Sequence, residues 1–93
     1  MNQVIINWWE LSDKDSFYDS VFRQTGAPDW HGRNLDAIND AWVTGDICSK
    51  GPPFDFIMKG EPNSRLIRFS LAIEEIIRDS IAEQGGTLIK NMN

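Results

Sequence analysis

The amino-acid sequence predicts an α/β fold in which a small parallel sheet is packed with helices. Three short runs have the residue types of strands, and segments with helical periodicity separate them in the order strand, helix, helix, strand, helix, strand. The connections between the strands are long enough to cross over the sheet, which favours parallel pairing. This pattern leaves the order of the strands open.

Strand-forming residues occur near the beginning, the middle and the end of the chain. The β-branched run NQVIIN (Asn2–Asn7) is expected to be a strand buried on both faces. Of the two tryptophans that follow, Trp8 and Trp9, one is expected under the first helix and the other on the surface. The other two predicted strands are FDFIM (54–58) and TLIK (87–90).

Two of the predicted helices have a serine immediately before them. The first spans about residues 13–25 with Ser12 as its N-cap, and the last spans about residues 65–83 with Ser64 as its N-cap. Apolar side chains recur at helical spacing in both, namely Phe17, Val21, Phe22, Leu66, Phe69, Ile73, Ile76, Ile77 and Ile81. Each of these helices is therefore expected to bury one face.

The middle helix is expected to expose a pair of acids. Asn34 can cap it, and it runs to about Thr44, where Gly45 ends it. Its inward stripe is Leu35, Ile38 and Trp42, and a neighbouring stripe at 100° per residue holds Asp36, Asn39, Asp40 and Val43. The two aspartates should therefore lie one turn apart and face away from the core.

Length and composition favour one globular domain spanning residues 1–93. The single cysteine, Cys48, lies in a loop-like stretch, CSKGPP (48–53), and is expected to be structural or incidental. It cannot form an internal disulfide, and the N-terminus lacks a secretion signal, which together favour a cytoplasmic protein. The apolar runs are far shorter than the ~20 residues of a membrane-spanning helix, so no membrane role is expected.

Acidic residues are concentrated in the first half of the chain. Residues 1–46 carry eight acidic and three basic side chains and account for the whole net charge of −5, whereas residues 47–93 carry six of each sign. Such a surface disfavours direct nucleic-acid binding and attracts basic proteins at an increased rate. The alternative is a solvated acidic face that serves only solubility.

The stretch PDWHGRNLDAIND (28–40) combines most of the polar chemistry of the chain. Exposed aspartates at positions 36 and 40 repel each other by about 0.2–0.5 kcal/mol, and only the first lies close enough to the helix N-terminus to be compensated by the dipole. Trp30 either folds back onto the core or serves as a binding hot spot. His31, the only histidine, is expected to be solvated, because no metal-ligand or catalytic motif accompanies it.

The stretch APDWHGRNLDAIND, with the preceding amphipathic helix and the order of the elements, resembles the barstar family of intracellular ribonuclease inhibitors. The shared pattern is an aromatic residue, a variable one, Gly32, a variable one, the run from Asn34 to Ala37, an aliphatic residue, a variable one and Asp40. This resemblance implies a three-stranded parallel sheet covered by helices. It also implies a monomer that forms a heterodimer with its target.

The resemblance further implies a surface that plugs a ribonuclease active site. Asp40 would take the place of the RNA phosphate, Asp36 would support it one turn earlier, and Trp30 would pack over the catalytic cleft. Gly32 and Asn34 would hold the loop and cap the helix. The implied partner-binding residues are therefore Trp30, Gly32, Asn34, Asp36, Asn39, Asp40 and Asp79, of which the last aligns with a further contacting acid.

The sequence departs from the family prototype at several positions. Asn39 stands where the prototype has a tryptophan, and His31 and Arg33 replace an aromatic and an acidic residue. The middle helix is one residue longer at its end, and the segment after the second strand is too short for an additional helix of the prototype. The target is therefore expected to be a basic ribonuclease or nuclease toxin other than barnase.

Three functions from different classes remain open on the sequence. The leading one is a cytoplasmic inhibitor of a basic ribonuclease, with no catalytic residue, metal or cofactor of its own. The second is a binding module of the same fold for another basic partner, whose catalysis would continue in the complex. The third is a small hydrolase or metal-dependent enzyme built on His31, Asp36 and Asp40.

Overall fold

Three parallel strands form one open sheet in the computed structural model, which describes residues 2–45 and 51–91. They are β1 (Asn2–Asn7), β2 (Phe54–Lys59) and β3 (Gly86–Asn91), paired in the order β1-β2-β3. The predicted α/β class and the parallel direction of the strands are confirmed. Cys48 lies outside the described residues, as does the first half of the predicted loop at 48–53.

Helices connect the strands in the predicted order. α1 (Lys14–Thr25) and α2 (Leu35–Asn39) lie between β1 and β2 in the chain, and α3 (Ile67–Gln84) lies between β2 and β3. A π turn, Asp40–Thr44, continues directly from α2. We call residues 35–44 together the acidic helix. The observed bounds agree with the predicted ones to within two residues.

The residues that begin α1 and α3 differ from those predicted. Asp13, not Ser12, is the N-cap of α1: its carboxylate accepts a hydrogen bond from the Ser16 N–H at 2.8 Å, and the Ser16 hydroxyl accepts one from the Asp13 N–H at 3.2 Å. Asp13 prevails because the serine three residues later closes the capping box in both directions. α3 follows Leu66, which makes no side-chain capping bond, so the prediction of Ser64 is also wrong.

The helices pack on one face of the sheet, where the buried side chains form a single core cluster. In β1, Val4 and Ile6 are buried, whereas Gln3 is exposed and Ile5 is only partly buried. The prediction that β1 is buried on both faces is therefore wrong. Its β-branched run resembles that of a fully buried strand, but only every second side chain meets a helix.

Aromatic rings anchor the helices to this core. Trp8 stacks on Phe17 of α1 with the ring centroids 5.7 Å apart, while Trp9 is exposed, as predicted for this pair. Trp42 of the acidic helix is buried against Phe56 of β2, with centroids 5.1 Å apart. The acidic helix is thereby fixed to the central strand of the sheet.

Candidate protein-binding surface

The acidic helix begins with the cap that the sequence predicts. Oδ1 of Asn34 accepts a hydrogen bond from the Ala37 N–H at 2.8 Å. Ile38 and Trp42 are buried, as predicted for the inward stripe, but Leu35 is 37% exposed. Its assignment to the core is wrong, because the first turn lies at the edge of the core and Leu35 lines a surface depression.

The acidic helix ends in a turn that is wider than an α-helical one. The N–H of Gly45 donates to the carbonyl of Asp40, five residues earlier, at 2.9 Å. A π turn contains one residue more than an α turn and is frequent at functional sites. This wider turn ends at Gly45, the residue at which the sequence predicts the end of the helix.

Two polar residues of α3, which sequence reasoning did not single out, hold this end in place. The Ser80 hydroxyl donates to the carbonyl of Trp42 at 2.7 Å, and the Gln84 side-chain amide donates to the carbonyl of Val43 at 2.7 Å. Ser80 is fully buried and lies one turn after Ile76 and Ile77 on the apolar face of α3. A polar residue on such a face is the sequence signal for a buried hydrogen bond.

Three exposed carboxylates lie on or beside the acidic helix. Asp36 and Asp40 are one turn apart on its outer side, as predicted, and Asp79 is on α3. Among the described residues, none of the three is held by a hydrogen bond or an ion pair. Asn39 and Asp79 line one depression of about 560 Å³ together with Glu83. The fold therefore extends the acidic surface from the helix onto α3.

The loop before the acidic helix exposes Trp30 and packs Gly32 inward. The Trp30 side chain is 75% exposed, so it does not fold back onto the core. A Cβ on Gly32 would lie 3.0 Å from the side-chain nitrogen of Asn34 and 3.2 Å from the Cβ of Ala37. Glycine thus allows the loop to approach the helix cap closely, which explains this residue without a contact to a partner.

His31 is buried, contrary to the expectation of a solvated side chain. It is 5% exposed, its ring centroid lies 4.4 Å from that of Phe22, and Nδ1 donates to the Gly32 carbonyl at 2.9 Å. His31 and Asp36 line different depressions. The described residues also include no group of three or more His, Cys, Asp or Glu side chains that could hold a metal ion. The arrangement therefore gives no support to an acid–base or metal site on these residues.

Arg33 links the same loop to α1. Its guanidinium donates to the Asp19 carboxylate and to the main-chain carbonyl of Asp15 at 3.2 Å, and it lies 3.6 Å from the Asp15 carboxylate. The hydrogen bond to Asp19 is the main cause that raises the pKa of Arg33. The guanidinium thus offsets part of the negative charge of these two acids of α1, whereas no cation among the described residues pairs with Asp36 or Asp40.

Comparison with known proteins supports the resemblance found in the loop and the acidic helix. A family model described as Barstar (barnase inhibitor) matches residues 1–85 of the 93-residue chain. The chain belongs to the barstar family. The match extends through β1, β2 and all three helices, and members of the barstar family are inhibitors rather than enzymes.

No curated protein matches the chain, so membership in the barstar family rests on the family model. In the part of the chain that the structure describes, no helix combines the length and the apolar character needed to cross a membrane.

Proposed function

We propose that this barstar-family protein is a cytoplasmic inhibitor that occludes the basic active site of a ribonuclease, in toxin immunity or self-protection. The supporting observation is the exposed pair Asp36 and Asp40, free of partners among the described residues, on a helix whose other side is buried in the core. In this view residues 1–93 are one domain that is monomeric when free and heterodimeric with its target.

The chemistry follows from what a ribonuclease active site contains. Arginine, lysine and histidine side chains gather around the scissile phosphate, and a carboxylate on a rigid helix can form the same charge-assisted hydrogen bonds. Asp40 takes the phosphate position, and Asp36 supports it from the rim of the pocket. Because Trp42 and Ser80 hold the helix in place, little conformational entropy is lost when the complex forms.

The residues around this pair complete the surface. Trp30 packs over the catalytic cleft as an exposed aromatic anchor. Asn39 and Asp79 line the neighbouring depression, where a basic side chain of the enzyme can be received. Gly32 and Asn34 act through the loop and the cap. The net charge of −5 accelerates encounter with a basic enzyme.

Inhibition of RNA hydrolysis tests the proposal, with ribonucleases captured from a lysate of the source organism; barnase is the comparison enzyme, which the departures from the family prototype predict to be a poorer target. The native protein is compared with the double variant Asp36→Asn, Asp40→Asn. A hydrogen bond to a charged group contributes about 1.5–3 kcal/mol, so each substitution should weaken binding by about tenfold to a hundredfold. Stability should change by less than about 0.5 kcal/mol, since both side chains are exposed.

A matched control separates the position of the charges from their number. Glu10→Gln with Glu61→Gln removes two negative charges from a different depression and should leave inhibition nearly intact. If the native protein and the double variant Asp36→Asn, Asp40→Asn bind the ribonuclease with equal affinity, Asp36 and Asp40 are only a solvated face. A captured basic partner whose catalysis continues in the complex would instead favour a binding module without inhibition.

A further inference from the structure

The loop of residues 26–34 forms a local turn that leaves Trp30 on the surface. Gly26 ends α1 in the left-handed conformation, and the N–H of His31 donates to the carbonyl of Pro28 at 3.0 Å. These features order the backbone on either side of Trp30. They do not by themselves attach the middle of the loop to the rest of the protein, and that attachment is made by side chains.

Arg33 provides the first attachment, because one guanidinium serves several groups of α1. It donates to the Asp19 carboxylate and the Asp15 main-chain carbonyl, and its Cζ lies 5.9 Å from the centre of the Phe22 ring. A single surface ion pair restrains a loop weakly. A planar guanidinium with two hydrogen-bond partners and an aromatic neighbour is restricted in orientation as well as in distance.

His31 provides the second attachment, and it uses the same aromatic residue. Its ring packs against Phe22 and is almost completely buried. Nδ1 donates to the Gly32 carbonyl, whereas Nε2 is buried with no hydrogen-bond partner among the described residues. Packing on Phe22 therefore holds the His31 ring to α1. Trp30 is thus followed directly by a residue that cannot move without exposing its own buried ring.

We propose that His31 and Arg33 are positioning residues that clamp the loop onto α1, so that the backbone that carries Trp30 is held in place before a partner binds. An ordered loop loses less entropy on association. Because Asp15 and Asp19 partly neutralise Arg33, its charge opposes a basic partner only weakly. The effect on binding rests on the proposed function, whereas the rigidity of the loop can be measured in the free protein.

The free protein is tested first, by hydrogen exchange of the amides of residues 29–34, above all the His31 amide that donates to the Pro28 carbonyl, and by ¹⁵N relaxation of the Trp30 main-chain amide. In Arg33→Gln we expect about three- to tenfold faster exchange in this loop, a lower heteronuclear NOE for Trp30 and unchanged exchange in α3. His31→Leu, which keeps an apolar ring-sized group, should have a smaller effect than His31→Ala. The control Arg23→Gln also removes one positive charge. Arg23 is exposed and lines the same surface depression as His31 and Arg33. Equal loop exchange in native and Arg33→Gln protein, or an equal increase in the Arg23 control, would overturn the proposal.

Binding distinguishes positioning from direct contact, with the captured ribonuclease as the probe. If Arg33 acts through Asp19, then Asp19→Asn and Arg33→Gln should each weaken binding, and the double variant should be no weaker than Arg33→Gln. If Arg33→Gln weakens binding without faster loop exchange in the free protein, Arg33 contacts the partner directly and the positioning role is wrong. If the loop responds as expected but the native protein inhibits no ribonuclease, the clamp is supported and the proposed function fails.

Discussion

Replacing Ser80 with alanine should loosen the end of the acidic helix from α3. Ser80 is fully buried, and its hydroxyl donates to the carbonyl of Trp42 at 2.7 Å. Alanine removes one oxygen atom and leaves that carbonyl without this donor. The substitution therefore tests the contact that places the acidic helix relative to Asp79.

The expected loss follows from the burial of the hydrogen bond. A buried carbonyl that loses its partner costs about 1–3 kcal/mol, and the removal of a single oxygen leaves too small a void to add much. The free energy of unfolding should therefore fall by about 1–3 kcal/mol. For a chain of this size each 1 kcal/mol lowers Tm by about 4–8 °C, so Tm should fall by at least about 4 °C.

Urea unfolding followed by tryptophan fluorescence measures this change, with an unchanged m value as the sign that only stability is affected. Hydrogen exchange in residues 38–44 should increase more than exchange in α1. Ser70→Ala is the matched control, because among the described residues the Ser70 hydroxyl bonds only to the carbonyl of Ile67 in the first turn of its own helix. We expect that control to cost less than about 1 kcal/mol. A loss below about 0.5 kcal/mol for Ser80→Ala, or equal losses in both variants, would refute the reasoning.

Capping and acid stability offer two further predictions. Asn34→Ala should lower the free energy of unfolding by about 0.5–2 kcal/mol, because the Ala37 N–H loses its hydrogen-bond acceptor. Asn34→Asp keeps an acceptor and should cost less. Equal losses of stability for the two variants in thermal unfolding would contradict the capping role. Glu74 pairs with Lys90 at 2.8 Å and Arg78 at 2.9 Å, which lowers the pKa of Glu74 below its ordinary value of 4.5. The stabilisation of the folded protein by these ion pairs is therefore present above pH 4.5 and is lost as the pH falls below that value and Glu74 becomes protonated. Glu74→Gln should be less stable than the native protein at about pH 6 and approach it at about pH 3 in urea titrations, and a constant difference across that range would be the contrary result.

Features that depend on neighbouring residues could be predicted from the sequence. The three strands and the helix bounds follow from residue type and periodicity over a few turns. The cap at Asn34 and the outward pair Asp36 and Asp40 follow from the geometry of one helix. Ser12 and Asp13 are adjacent residues that can both cap a helix, so the local pattern did not decide between them. Ser16, three positions after Asp13, made Asp13 the N-cap by closing the capping box.

Features that depend on which elements pack together were decided by the tertiary structure. The sequence does not show that Phe22 covers His31, that Ser80 and Gln84 bind the end of the acidic helix, or that Asp79 lies beside it. One-sided packing of the sheet likewise turned the strand expected to be buried on both faces into an alternating one. Local periodicity determines the faces of an element, but its neighbours across the fold determine which face is buried and which polar group finds a partner. The sequence by itself thus determined the acidic pair, and the packing of α1 and α3 decided which contacts hold the acidic helix and the loop that carries Trp30.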